Sequence, residues 1–343
     1  MLEGHRTTEG PDLKMSADVG QWLSRRSSHA GDWRAADLLA AKRGTTVSVV
    51  IPARNEEETV GDIVRTIRRD LVEALPMVDE VVVVDSRSED ATARVAVEAG
   101  AAVVAQDSVL PMLPGLPGKG EALWKGLAAT TGDIVVFVDG DLYDFTSSYV
   151  TGLLGPLLTD EAVAYVKGFY HRPLVGATAT DADGGGRVTE LVARPLLNMY
   201  WPELSGFVQP LAGEYAGRRE VLESIPFVVN YGVEIGHLID ILSSRGLDAL
   251  AQVDLGKRTH RHQSTHALGR MSGQIMLTVF DRLERYGRLV SAQPPATLLA
   301  QFRRGESGHG VEREMVLTDL TCHQRPPLAS LRATGGTGLR EIA

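Results

Sequence analysis

The 343-residue chain predicts an α/β fold, a doubly wound, mainly parallel sheet flanked by helices, on three observations. Short apolar runs rich in β-branched residues recur at Val47–Ile51, Val81–Val84 and Ile134–Val138. A stretch of helical periodicity separates each run from the next, as in βαβ units with right-handed crossovers. The runs end in polar or acidic loops, where ligands bind in such sheets.

In chain order, residues 1–44 read as a polar N-terminal extension with a helical patch at "DWRAADLLAAKR". The first strand is broken by Pro52, and Asn55 is expected to cap a helix whose first turn holds Glu56, Glu57 and Glu58. Ile63, Val64 and Ile67 follow at helical spacing. A second strand ends in Asp85, "TARVAVEAGA" is a second helix and "AAVVAQ" a third strand. "KGEALWKGLAAT" forms the third helix and "DIVVFVD" the fourth strand. Residues 45–145 are thus a Rossmann-like nucleotide-binding part.

Beyond this the alternation is less regular, and 146–300 reads as an acceptor-binding, metal-completing part. It contains a strand at "AVAYVKGFYHRP", a glycine turn opening a helix at "DGGGRVTELVARPLL", and an amphipathic helix at "VEIGHLIDILSSRGL". "LAQVDLGKRTHRHQ" is a late strand and loop, and residues 301–343 are expected to be a loosely ordered tail.

Composition narrows the function classes. A net charge of −9 argues against general nucleic-acid binding, which needs a basic face. The single Cys322 excludes an internal disulfide framework and fits a reducing cytoplasm. No apolar run reaches the roughly 18 residues that a membrane span needs, so no stable membrane insertion is expected. "MLEGHRTTEGPDLK" lacks the apolar centre of a signal peptide, and Met15 offers a second start after an upstream extension.

The chemistry concentrates in five stretches. In "VFVDGDLYDF", Asp139 and Asp141 flank Gly140 where a buried strand meets a loop. Such a pair reads equally as turn chemistry or as oxygen ligands for Mg²⁺ or Mn²⁺ beside a diphosphate. In "PARNEE" and "VVDSRSEDAT", Pro52, Ala53 and Glu56 face Asp85 and Ser86 across two strand ends, suited to a base and ribose. No GxGxxG occurs, which counts against a nicotinamide or flavin enzyme.

Lys119 in "PGLPGKGEALWKG" opens a helix as a phosphate-facing lysine would, or else is a solvated surface lysine. A Walker loop is rejected because Gly120 stands where Ser or Thr belongs. In "DGGGRVTEL", Gly184, Gly185 and Gly186 with Arg187 and Thr189 read as an anion site at a helix start, or else as a flexible linker. Glu234 begins the amphipathic helix, where it also reads as a favourable first-turn acid, while His260 and His262 share one side of an extended segment, where one imidazole can complete a metal site or both are structural.

Together, "VVIPARNEE", "VVDSRSEDAT", "PGKGEALW", "VFVDGD", "GGGRVTELVARPLL", "QPLAGEYAGRR", "YGVEIG" and "RTHRH" resemble the actinobacterial glucosyl-3-phosphoglycerate synthases, retaining glycosyltransferases of GT-A fold. The resemblance covers roughly residues 30–290. It implies UDP-glucose as donor, 3-phosphoglycerate as acceptor, Mg²⁺ or Mn²⁺ as cofactor, and a cytoplasmic homodimer. It also implies uridine contacts at Pro52, Ala53, Arg54, Glu56 and Ser86, with Lys119 near the diphosphate. Asp141 would ligate the metal with His260, and Asp139 and Gly140 would support the nucleotide sugar.

Glu234 would bind the transferred glucose together with the backbone from Leu211 to Gly213. The acceptor's phosphate and carboxylate would lie on Gly185, Gly186, Arg187 and Thr189, with Tyr231, Arg258 and His262 around the acceptor or diphosphate. Arg54 and Gly140 depart from relatives, which often carry an apolar residue and Ser there. No motif carboxylate stands out as a nucleophile, so retention is expected by front-face attack. Rival readings are a mannosyl-3-phosphoglycerate synthase using GDP-mannose or several donors, a polyprenyl-phosphate glycosyltransferase, and a non-catalytic nucleotide-sugar-binding or scaffold protein.

Overall fold

The apolar runs assemble into one eight-stranded sheet. The structure is a computed structural model and describes residues 17–171, 174–175, 180–181, 186–258, 263–304 and 313–333. Its strands are β1 (Ser27–His29), β2 (Val47–Ala53), β3 (Glu80–Asp85), β4 (Ala102–Ala105), β5 (Ile134–Phe137), β6 (Tyr165–His171), the short pair β7 (Leu174–Val175) and β8 (Thr180–Asp181), β9 (Tyr215–Arg218), β10 (Phe227–Val228) and β11 (Leu250–Lys257). The chain then adds β12 (Leu298–Arg304), β13 (Arg313–Asp319) and β14 (Gln324–Arg325). The sheet order is β1-β11-β6-β9-β5-β2-β3-β4. Its pairs are parallel except the two made by β9, which runs antiparallel to β5 and β6.

Alternation along each strand splits the core into two layers. Val49, Ile51, Val81 and Val136 pack under α2 (Ala35–Lys42), α3 (Val60–Ile67), α4 (Thr92–Glu98) and α6 (Ser148–Thr159). The opposite face, with Val50, Val84, Val135 and Phe137, packs on α5 (Lys119–Ala129), α7 (Arg194–Tyr200), α8 (Arg219–Ser224), α9 (Val233–Arg245) and α10 (Thr265–Arg285). Among the described residues no helix is long and apolar enough to cross a membrane.

Three expectations change. Asn55 does not cap α3, whose N-cap is Thr59. Asn55 has φ +58° and stitches two loops, its N–H donating to Ser88 Oγ at 3.0 Å and its Oδ1 accepting from Glu89 N–H at 2.8 Å. From residue 17 the expected N-terminal extension is built into the sheet: β1 pairs with β11, and the fully buried Trp22 of α1 (Ala17–Arg26) donates to Leu250 O at 2.8 Å.

The segment expected as a loose tail carries a hairpin, β12 with β13, then β14 and α11 (Leu328–Ala333). Buried Leu320, Arg325 and Leu328 hold it against the body, which its Gly-, Arg- and Pro-rich composition conceals.

Candidate functional site

The parallel strands β2, β3, β5, β6 and β11 end at one edge, so their following loops share a crevice. The antiparallel β9 starts at this same edge, which places Gly213 and Glu214 there by their position before the strand. A cavity of about 360 Å³ opens along the crevice. It is lined by Pro52, Ala53, Arg54, Glu56, Ser86, Lys119, Asp139, Gly140, Asp141 and Tyr231, ten of the residues expected from sequence, and also by Gly118, Ala122, Asn230 and Gln263.

Local backbone chemistry shapes the floor. Thr59 Oγ1 donates to Gly140 O at 2.6 Å and fixes the Asp-Gly-Asp turn. A Cβ on Gly140 would stand 3.0 Å from Pro52 O, so the turn lies close under β2. Ser86 N–H donates to Ala53 O at 2.8 Å, and its hydroxyl donates to the buried Gln106 Oε1 at 2.8 Å. Asp85 Oδ1 is buried without a hydrogen-bond partner among the described residues, and Asp85 does not line the cavity.

Below the cavity the charged groups are linked in series. Lys119 Nζ stands 2.6 Å from Asp139 Oδ1 and 3.1 Å from Glu234 Oε1. Arg258 Nη2 donates to Asp139 Oδ2 at 3.1 Å and to Asp141 Oδ1 at 2.9 Å. Arg258 Nη1 donates to Glu214 Oε1 at 2.9 Å and to the Tyr170 hydroxyl at 2.5 Å.

Burial works against the Lys119 ammonium, yet Asp139 and Glu234 outweigh it and hold the group above the ordinary lysine range. Burial likewise opposes ionisation of Asp139, but Lys119 and Arg258 prevail and keep it below the usual carboxylate range. Lys167, fully buried between Tyr165 and Tyr215, is pushed down to about 7 by burial.

This cluster bears on metal binding. Among the described residues, Asp139, Asp141, Glu214 and Glu234 pair with Lys119 and Arg258, four carboxylates against two direct cation partners. Both Asp139 oxygens already accept from cations, whereas Asp141 leaves 37% of its side chain accessible toward the cavity. Asp141 is therefore the carboxylate that fits a divalent cation shared with a diphosphate. Among the described residues no three His, Cys, Asp or Glu side chains converge as a metal cage. His260 and His262 lie outside the described residues, as do Gly184 and Gly185.

Of the residues expected to hold the acceptor, Arg187 is tied to the same rim. Gly186 has φ +79°, and Arg187 Nη2 donates to the carbonyl of the cavity-lining Gln263 at 3.3 Å. Thr189 is buried in the following helical turn. Glu234 is buried, and Leu211 packs partly buried at the edge of the core. Sequence reading missed Glu214, Tyr170, Asn230, Gln263 and Gln106. Asn230 adjoins Tyr231 and was the most readable of these, whereas Glu214 gives no signal until β9 is known to be antiparallel.

Residues 48–222 match glycosyl transferase family 2. The glucosyl-3-phosphoglycerate synthase of Mycolicibacterium smegmatis is 56% identical over 262 residues, covering 76% of this chain and 86% of that protein. The chain belongs to the glucosyl-3-phosphoglycerate synthase family.

Likeness to the glucosyl-3-phosphoglycerate synthases extends to solved structures. The Mycobacterium tuberculosis enzyme, crystallised with Mn²⁺, UDP-glucose and phosphoglyceric acid, superposes with a TM-score of 0.77 at 44% identity, over 90% of this chain and 99% of that one. Mannosyl-3-phosphoglycerate synthase from Rubrobacter xylanophilus superposes with a TM-score of 0.83 at 40% identity, over 92% of this chain and 98% of that one. The family 2 match contains Lys119 and the Asp139–Asp141 turn but stops before Glu234 and Arg258.

Gly213 provides a test of the cluster. A Cβ there would collide with the Asp139 carboxylate and stand 2.5 Å from Lys119 Nζ. Gly213→Ala is expected to keep the circular dichroism of the native fold while weakening UDP binding, measured by calorimetry, about tenfold or more, or ~1.4 kcal/mol. Unchanged UDP affinity would separate the cluster from nucleotide binding.

Proposed function

We propose that this chain transfers glucose from UDP-glucose to the 2-hydroxyl of 3-phosphoglycerate with retention of configuration, releasing UDP. The observation that carries the proposal is the ion-paired Lys119–Asp139–Arg258–Asp141 cluster on the floor of a strand-end cavity, in a chain 56% identical to a glucosyl-3-phosphoglycerate synthase.

Pro52, Ala53, Arg54 and Ser86 receive the uracil, with Asp85 beneath, and Glu56 receives the ribose. Lys119 faces the diphosphate, while Asp139 and Gly140 support the nucleotide sugar. Asp141 and His260 would hold Mg²⁺ or Mn²⁺, which when bound would supply positive charge to the departing UDP. Glu234 and the backbone from Leu211 to Gly213 hold the glucose hydroxyls. Gly184, Gly185, Gly186, Arg187 and Thr189 seat the phosphate and carboxylate of the acceptor, with Tyr231 and His262 beside them.

Rate enhancement comes from this positioning and from electrostatic stabilisation of the leaving group. Glu234 is ion-paired to Lys119, and Glu214 has no exposed surface beneath Arg258, so neither is placed as a nucleophile. Attack therefore proceeds on the front face. The acceptor oxygen bonds to the anomeric carbon as the bond to the β-phosphate oxygen breaks, and the acceptor's proton passes to that phosphate.

The likeness to the mannosyl enzyme favours a second reading, GDP-mannose as an accepted donor. We further propose that the chain acts in the cytoplasm as a homodimer. Leu298, Phe302, Met315 and Leu317 project from one face of the β12–β13 hairpin and are each more than half exposed. An apolar face of this kind suits burial against a second copy.

Two measurements test these readings. Incubation with 3-phosphoglycerate, Mg²⁺ and either UDP-glucose or GDP-mannose should release UDP faster than GDP, and Asp141→Ala should lower turnover about a hundredfold or more with the fold intact. No nucleotide release with either donor would overturn the transferase reading, and a faster GDP-mannose reaction would exchange the donors. Sedimentation equilibrium should give a dimer that Phe302→Glu converts to monomer; a wild-type monomer would refute the pairing.

A further inference from the structure

The lysine that faces the diphosphate opens α5, and the first turn of that helix is clasped from below by the last described segment of the chain. Glu121, two residues after Lys119, has no exposed surface. Arg325 donates to it twice, Nε to Oε2 at 2.6 Å and Nη2 to Oε1 at 2.7 Å, and also donates to Pro114 O in the loop leading to Lys119. The guanidinium lies 5.4 Å from the Trp124 ring centre, and Trp124 Nε1 donates to Pro326 O at 3.0 Å.

The same segment holds a second wall of the cavity. β14 pairs antiparallel with β10, Phe227 opposite Arg325 and Val228 opposite Gln324. Val229 N–H donates to His323 O at 2.9 Å, and Val229 O accepts from Glu121 N–H at 3.2 Å. Contact here leaves no room: a Cβ on Gly120 would collide with Val228 O, and one on Gly118 would collide with Val229 O. Asn230 and Tyr231, which line the cavity, follow directly.

We infer that Arg325 is a positioning residue for the transfer reaction: through Glu121 and β10 it sets Lys119 and the Asn230–Tyr231 loop against the donor diphosphate. This inference rests on the reading of Lys119 given above. The physical case is the cost of an unpaired buried carboxylate. Without Arg325, the remaining ion pair of Glu121 among the described residues is with Lys125 at 3.9 Å. Lys125 Nζ is already donating to Val109 O and Leu110 O, which anchor the loop before Lys119. A shift of Lys125 toward Glu121 would release that loop and tilt the first turn of α5. Movement of Lys119 matters because leaving-group stabilisation depends on preorganised geometry.

The test compares Arg325→Met, Arg325→Lys and the control Arg219→Met, each at a temperature where circular dichroism shows it folded. Arg219 ties Gly132 O, Leu127 O and Glu223 at the opposite edge of the sheet, so its loss destabilises without touching the cavity. Arg325→Met should lower kcat/KM for UDP-glucose about tenfold, mainly through KM, and weaken UDP binding in Mn²⁺ by a similar factor. Arg325→Lys should recover part of the loss, and Arg219→Met should leave both quantities unchanged.

Native UDP affinity and KM in folded Arg325→Met would overturn the inference. If Arg325→Met does not fold, Glu121→Gln carries the test, with a raised KM expected and a native KM contradicting it. Wild-type protein that binds UDP but turns nothing over would refute the transferase reading instead, and the UDP affinities would still decide the role of Arg325.

Discussion

Carboxylates from separate loops cannot be gathered beneath one cavity unless cations hold them there, and Arg258 is the group that does so. Its planar guanidinium bonds Asp139 and Asp141 after β5 and Glu214 before β9, while Tyr170 on β6 accepts from the same nitrogen as Glu214. A lysine, as a point charge, cannot span this set. With Lys119 on the other Asp139 oxygen, the Asp pair is oriented before any ligand arrives. Asp141, still open to the cavity, is the group proposed to take a divalent cation beside a diphosphate.

Sheet topology makes this gathering possible. In a sheet parallel throughout, only residues that follow strands would reach the ligand edge. Reversal of β9 adds residues that precede one, and so delivers Gly213 and Glu214 to the centre of the site. Gly213 is needed there because any side chain would occupy the space between Asp139 and Lys119. The C-terminal segment completes the arrangement from outside the sheet, through β14 on β10 and Arg325 on Glu121.

The parts legible in the sequence were those coded locally. The parallel strands and their helices show in alternation and helical periodicity, and Asp139, Asp141, Lys119 and Ser86 stand directly at element ends. Residues coded by distant partners were not legible. Arg325 lies in a polar, glycine-rich stretch and finds its carboxylate 204 residues away, so composition reads it as loose tail. Glu214 looks like any acid before a strand until the strand's direction is known. Asn55 followed the local rule for a cap, but a neighbouring loop took its hydrogen bonds and left the capping position to Thr59.

The central claim is that the cluster under the cavity is built to take a metal and a diphosphate together, and its most direct test is thermodynamic. Mn²⁺ and UDP titrated separately and together into the wild type and Asp141→Asn should show each ligand tightening the other about tenfold or more in the wild type and losing that coupling in the variant. UDP that binds the wild type equally well in Mn²⁺ and in a chelator would contradict the account.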